Sequence, residues 1–138
     1  MIALIGIDVD GTLVGSSGQV PDIIWQLATE ARAAGIHLAL CSGRPAFGLA
    51  ADYARRLDDD GWHIFQNGAS VVNLATHESR STPLPEGSVR GLISHARETG
   101  HVLELYGDDD YAVESEAVPR GGEGRRDRRR ARHRRDDA

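Results

Sequence analysis

Asp8 and Asp10 stand two residues apart and run straight into Gly11 and Thr12, in the stretch Asp8-Val9-Asp10-Gly11-Thr12-Leu13-Val14. In extended backbone, side chains two positions apart leave the same face, so the two carboxylates converge. Like charges at close quarters destabilise each other. A divalent cation removes that penalty. Oxygen donors with few other partners suit Mg²⁺, which takes one or two carboxylates and completes its shell with water and phosphate. Gly11 lets the backbone turn tightly, and its amide and that of Thr12 can face an anion. The chemistry within reach of this set is the binding and transfer of a phosphoryl group.

Such acids need an element to hold them. Residues 2–7 (IALIGI) are a continuous apolar run with one Gly, stopped by Asp. They predict a strand buried on both faces of a parallel sheet. The acids then lie just beyond its carboxyl end, where such sheets keep their ligand sites. A turn-rich loop at 15–19 leads to a helix over about 22–34, with Pro21 suited to its start and Gly35 to its end. Ile23, Ile24, Leu27, Ala28 and Ala31 make its apolar face. Residues 36–41 (IHLALC) read as a second buried strand, which completes a parallel strand-helix-strand crossover. His37 is read there as a satisfied structural histidine and Cys41 as a buried, inert thiol.

Ser42-Gly43-Arg44-Pro45 follow at the carboxyl end of that strand. A helix over 46–57 turns Phe47, Leu49 or Ala50, Tyr53, Ala54 and Leu57 inward, and Asp58-Asp59-Asp60-Gly61 reads as a solvated exit. Residues 62–66 form a third strand, Asn67-Gly68 a hairpin turn, and 70–74 the return strand. Residues 76–87 are a polar strand end and linker, 88–99 an amphipathic helix ended by Gly100, and 101–106 and 111–114 two strands about a Gly-Asp turn.

The first of these stretches resembles the leading motif of the haloacid dehalogenase superfamily of phosphohydrolases, Asp-x-Asp-Gly-Thr-Leu/Val after an apolar strand, at every position. The resemblance implies that Asp8 is the nucleophile, taking the phosphoryl group as an aspartyl-phosphate. It makes Asp10 the general acid for the leaving group and then the base for the hydrolytic water. The second Asp favours phosphoryl transfer over dehalogenation, because a departing halide needs no proton. Asp8 and Asp10, the latter through its backbone carbonyl, would hold Mg²⁺.

Ser42-Gly43-Arg44 resembles the second motif. A short hydroxyl beside a backbone amide holds a phosphoryl oxygen without adding charge, and Arg44 binds phosphate or organises the loop. Asn67-Gly68-Ala69 resembles the element of the Cof-type, subclass IIB branch that lines the site beside the cap, which makes Asn67 a substrate-contact candidate. Gly11, Thr12, Ser42, Gly43, Arg44 and Asn67 are thus the phosphate- and substrate-binding candidates. The helix and strands of 88–114 resemble the opening of that branch's cap. The implied fold is α/β, a Rossmann-like parallel sheet with flanking helices, plus the start of an α+β cap. The domain plan is a partial core over 1–82, a partial cap over 83–118 and a disordered Arg-rich tail over 119–138.

The rest of the family pattern is harder to find. The third motif calls for a Lys, sometimes an Arg, and the 138 residues contain no Lys to carry it. Gly107-Asp108-Asp109-Asp110 imitates the Gly-Asp-rich fourth motif in letters, without the strand-helix context. Residues 121–138 hold eight Arg against four acids, or +4, which leaves −9 for residues 1–120 out of a total of −5. An acidic body does not read as a nucleic-acid binder. The switch near Pro119 to an Arg-rich repeat reads as a truncated or frame-shifted end.

Three expectations follow. Turnover by this chain alone is weak or absent, residues 2–7 become an exposed apolar edge, and the chain self-associates through it. No run reaches the roughly twenty apolar residues of a membrane span, the start is not a cleavable leader, and one cysteine allows no internal disulfide; a cytoplasmic setting is expected. The reading is a Mg²⁺-dependent phosphatase of small phosphorylated metabolites such as sugar phosphates. The alternative is a non-catalytic fragment, a phosphate- or nucleic-acid-binding module using its Arg tail.

Overall fold

The leading apolar run becomes strand β1 (Leu4–Asp8), and helix α1 (Asp22–Ala33) carries the chain back to strand β2 (His37–Cys41) in parallel. The register sets Leu4 opposite His37 and Asp8 opposite Cys41, so both strands end together. Helix α2 (Leu49–Leu57) then leads to β3 (Trp62–Phe65), again parallel, with Cys41 opposite Ile64. Two antiparallel strands, β4 (Ser70–Asn73) and β5 (Glu78–Ser79), complete a five-stranded sheet in the order β1-β2-β3-β4-β5. This is a computed structural model, and it describes residues 2–113. The sheet is mixed, its parallel half carrying the flanking helices as the α/β expectation requires.

Two right-handed crossovers running the same way along the sheet put their helices on one face, and α1 packs against α2 and β2 there. Phe65, Leu40 and Leu57 are fully buried in this core with Val9, Leu13, Leu38 and Trp25. Each such side chain contributes about 1.5–3 kcal/mol on leaving water.

Burial of β1 on both faces is not found: Leu4 is 62% exposed and Ile5 is exposed as well. The reason is position. Among the described residues β1 is an edge strand with β2 as its one neighbour. An open apolar groove of about 200 Å³ lies beside it, lined by Ile5, Ile7, Ile24, Leu27 and Leu38.

Several local readings need correction. Ile23 and Leu27 lie exposed on α1, and Trp25 takes the inward place, with the Arg56 guanidinium 3.9 Å over its ring. Helix α2 starts at Leu49 because Gly48 adopts φ 63°, ψ −147°, a conformation only glycine takes easily. Asp58 is no solvated residue: it is 4% exposed, accepts the Leu38 amide at 3.3 Å and pairs with Arg32 at 3.3 Å. Asp59 and Asp60 alone are exposed, Asp59 pairing with Arg32 as well. His37 is an exposed histidine 3.5 Å from the same Asp58 carboxylate. The Cys41 thiol is half-buried, and burial pushes its pKa up, which keeps it a thiol.

The β3–β4 hairpin forms with a four-residue loop, since Phe65 pairs with Ser70. The Asn67-Gly68 pair falls inside a 3₁₀ turn (Gln66–Gly68), not in a two-residue turn. The strand end and linker of 76–87 contribute the short β5.

The chain divides into two compact units at Pro83/Leu84. The second holds helix α3 (Glu86–Thr99), ended by Gly100 in the left-handed conformation, and a hairpin of β6 (Glu104–Tyr106) and β7 (Tyr111–Val113). Tyr106 and Tyr111 stack at 5.7 Å across it. In α3 only Ala96 is buried, as suits a unit with too little surface to close a core. The Arg-rich tail and the end of the expected cap lie outside the described residues.

Candidate active site

The parallel register brings three carboxyl ends to one place. Asp8 closes β1, Ser42 follows β2, and the Gln66–Gly68 turn follows β3. Val9 is 0% exposed in the core, while Asp8 and Asp10 on either side of it are exposed. A tight turn fixes them: the Leu13 amide donates to the Asp8 carbonyl at 3.1 Å and the Val14 amide to the Val9 carbonyl at 2.8 Å.

The Gly11 amide does not face an anion. It donates to the Val14 carbonyl at 3.0 Å, whereas the Thr12 amide makes only a long 3.4 Å contact with Val9. The turn that exposes the acids has consumed the first of these donors.

Ser42 is buried, its hydroxyl oxygen accepting the Arg44 amide at 3.1 Å. The Arg44 side chain crosses to the first loop and forks Asp10, Nε to Oδ2 at 3.0 Å and a terminal nitrogen to Oδ1 at 2.6 Å. That bidentate contact holds the Asp10 carboxyl below the usual carboxylate range. Sequence reasoning allowed Arg44 a phosphate or a loop; it missed this partner. The available signal was position, an acid two residues past β1 and an Arg three past β2, on neighbouring parallel strands.

The third loop is tied to the second. The Asn67 amide donates to the Ser42 carbonyl at 3.1 Å and the Gln66 amide to the Arg44 carbonyl at 3.0 Å. Gln66 and Asn67 both hold positive φ, 51° and 55°, uncommon for residues with a Cβ and concentrated at functional sites. The Asn67 carboxamide rests on Gly43, where an added Cβ would come within 3.0 Å of its oxygen. Asp8, Asp10, Ser42, Gly43, Arg44 and Asn67 thus belong to one connected set of loops, and Gly11 and Thr12 shape the first of them.

For a cation, the hard oxygen donors at hand are the Asp8 carboxylate and the Asp10 carbonyl. Among the described residues no three His, Cys, Asp or Glu side chains gather as a metal cluster. The donor set suits Mg²⁺, which is commonly held by one or two carboxylates with water and phosphate completing its shell. The Asp10 side chain, occupied by Arg44, is not one of those donors.

The family description of haloacid dehalogenase-like hydrolases matches residues 5–137. The chain belongs to that family. YxeH of Bacillus subtilis, provisionally named a phosphatase, is 35% identical over 80 residues, 56% of this chain and 30% of its own. A haloacid dehalogenase-like hydrolase of Bacteroides thetaiotaomicron superposes with TM-score 0.73 at 28% identity, covering 86% of this chain and 46% of that one. The subclass IIB sugar phosphatase BT4131 shares the fold with TM-score 0.63 at 24% identity, over 82% and 44%. The chain spans 29–40% of the length of the curated relatives it matches. Among the described residues no helix is long and apolar enough to cross a membrane.

Proposed function

We propose that the chain carries the nucleophile half of a Mg²⁺-dependent phosphatase of small phosphorylated metabolites, sugar phosphates among them, working in the cytoplasm. One observation carries the reading: Asp8, the Arg44–Asp10 fork and the Ser42–Asn67 loops meet at the carboxyl ends of three neighbouring parallel strands.

An Asp8 carboxylate oxygen attacks phosphorus, and the bond from phosphorus to the ester oxygen breaks. Asp10, once protonated, gives its proton to the departing alkoxide. Asp10 then takes a proton from water, which attacks the aspartyl-phosphate and returns the Asp8 carboxylate and inorganic phosphate. Ser42 donates its hydroxyl to a phosphoryl oxygen and Arg44 offers its fork to another. Mg²⁺, held by Asp8 and the Asp10 carbonyl, would supply charge neutralisation between carboxylate and phosphate.

Beryllofluoride, which caps an aspartate as a phosphoryl group does, tests the reading by ¹⁹F NMR. The expected result is a bound signal that requires Mg²⁺ and disappears in Asp8→Asn. A bound signal that survives that substitution, or no bound signal in the parent chain, overturns it.

A further inference from the structure

We propose that Arg44 is a positioning residue shared between two anions: it clamps the Asp10 carboxylate in the resting site and transfers its fork to the phosphoryl group when one arrives. Asp10 is then free to approach the leaving group only beside a loaded site. The inference rests on the phosphatase reading above and deepens it.

The geometry points to an exchange. A guanidinium fork fits a carboxylate and a phosphate equally well, with two parallel N–H···O bonds to either. Both bonds to Asp10 are made from the Nε side of the guanidinium, at 3.0 and 2.6 Å, so that side-on fork cannot serve a phosphoryl oxygen while the clamp is closed. Its backbone, in contrast, is fixed. The amide donates to Ser42 Oγ at 3.1 Å and the carbonyl accepts from Gln66 at 3.0 Å, so the side chain swings from a stationary root. The Ser42 hydroxyl accepts that amide and keeps its own proton to give, which places two phosphate donors on one short loop. The pair is open to water, the Arg44 side chain 39% and the Asp10 side chain 63% exposed. Exposed ion pairs are weak and exchange readily. A phosphate dianion outbids a single carboxylate.

A clamp of this kind taxes anion binding, because the competent arrangement is only fractionally populated before the anion comes. Removing Asp10 should therefore tighten phosphate through Arg44 and not merely by deleting a negative charge. A double-mutant cycle separates the two. Inorganic phosphate is titrated, with Mg²⁺ present, into the full chain and its Asp10→Ala, Arg44→Gln and double variants. The Arg44 Nε–H resonance of the parent is followed alongside.

The expected gain in affinity from Asp10→Ala is at least about threefold larger with Arg44 present than in Arg44→Gln, and the Nε–H signal moves as phosphate saturates. Equal gains in the two backgrounds, or an unmoved resonance at saturation, overturn the clamp. If beryllofluoride still requires Asp8 in that case, the phosphatase reading stands without it. A parent chain that binds neither anion removes both.

Discussion

Asp10 and His63 are titratable side chains fixed by opposite means. Asp10 stays at the surface and is kept ionised by a guanidinium. His63 is 0% exposed and accepts the Leu40 amide at Nδ1 (3.1 Å) while its Nε2–H donates to the Asp58 carbonyl (2.8 Å), an arrangement only the neutral ring can make. Burial pushes its pKa below 6.5, outweighing the pull of Asp58. Above about pH 6.5 the ring is neutral folded or unfolded, and its contribution to stability is complete. As pH falls below that value the unfolded chain takes the proton first, so stability drops until the lowered folded-state pKa is passed. Urea midpoints should therefore fall more steeply between pH 7 and pH 5 for the parent than for His63→Gln. Parallel slopes would remove His63 from the account.

At the scale of elements, what the residues announced and what they hid divide along a physical line. Crossover, helix and hairpin order follow from apolar period and turn residues, which are local, and they stand in the structure. Asp8, Ser42 and Asn67 meet because parallel strands end in register, a consequence of that same order. Asp58 was hidden because its role is made by distant partners: it stops α2, yet its carboxylate takes the Leu38 amide of β2 and the Arg32 side chain of α1. Three neighbouring Asp look alike in a sequence; only burial separates them. Asp58→Ala leaves a buried amide unpaired, so a loss of about 1–3 kcal/mol is expected, read as a lower urea midpoint at unchanged slope. Asp59→Ala, at the exposed neighbour, should cost less than about 1 kcal/mol. Equal losses would contradict the assignment. The Gly43–Asn67 contact was equally invisible, and Gly43→Ala should displace Asn67, costing about 1–2 kcal/mol and weakening phosphate binding.

Among the described residues the first strand leaves one edge of the sheet open. The Ala3 carbonyl accepts the His37 amide at 2.9 Å, so alternate residues of β1 face β2. Leu4 and Gly6 turn their backbone groups the other way, and the apolar groove beside Ile5, Ile7 and Leu27 adjoins them. Charge, Pro and bulges are the usual protections of such an edge, and residues 2–7 contain none of the first two. Self-association, β1 against β1, is the expected consequence. The acidic body works against it, so salt, which screens that repulsion, should promote association. Sedimentation velocity on the 138-residue chain is expected to show mass rising with concentration and with salt. Leu4→Lys, at a site 62% exposed and so of small cost to the fold, should return it to a monomer. The same polypeptide brings Arg44 and no lysine to neutralise a phosphoryl transition state, and p-nitrophenyl phosphate should be hydrolysed slowly in monomer and oligomer alike. Ordinary enzyme rates would mean that the Asp8–Arg44 loops suffice unaided. A chain monomeric at every concentration and salt would mean that the first strand is covered from within.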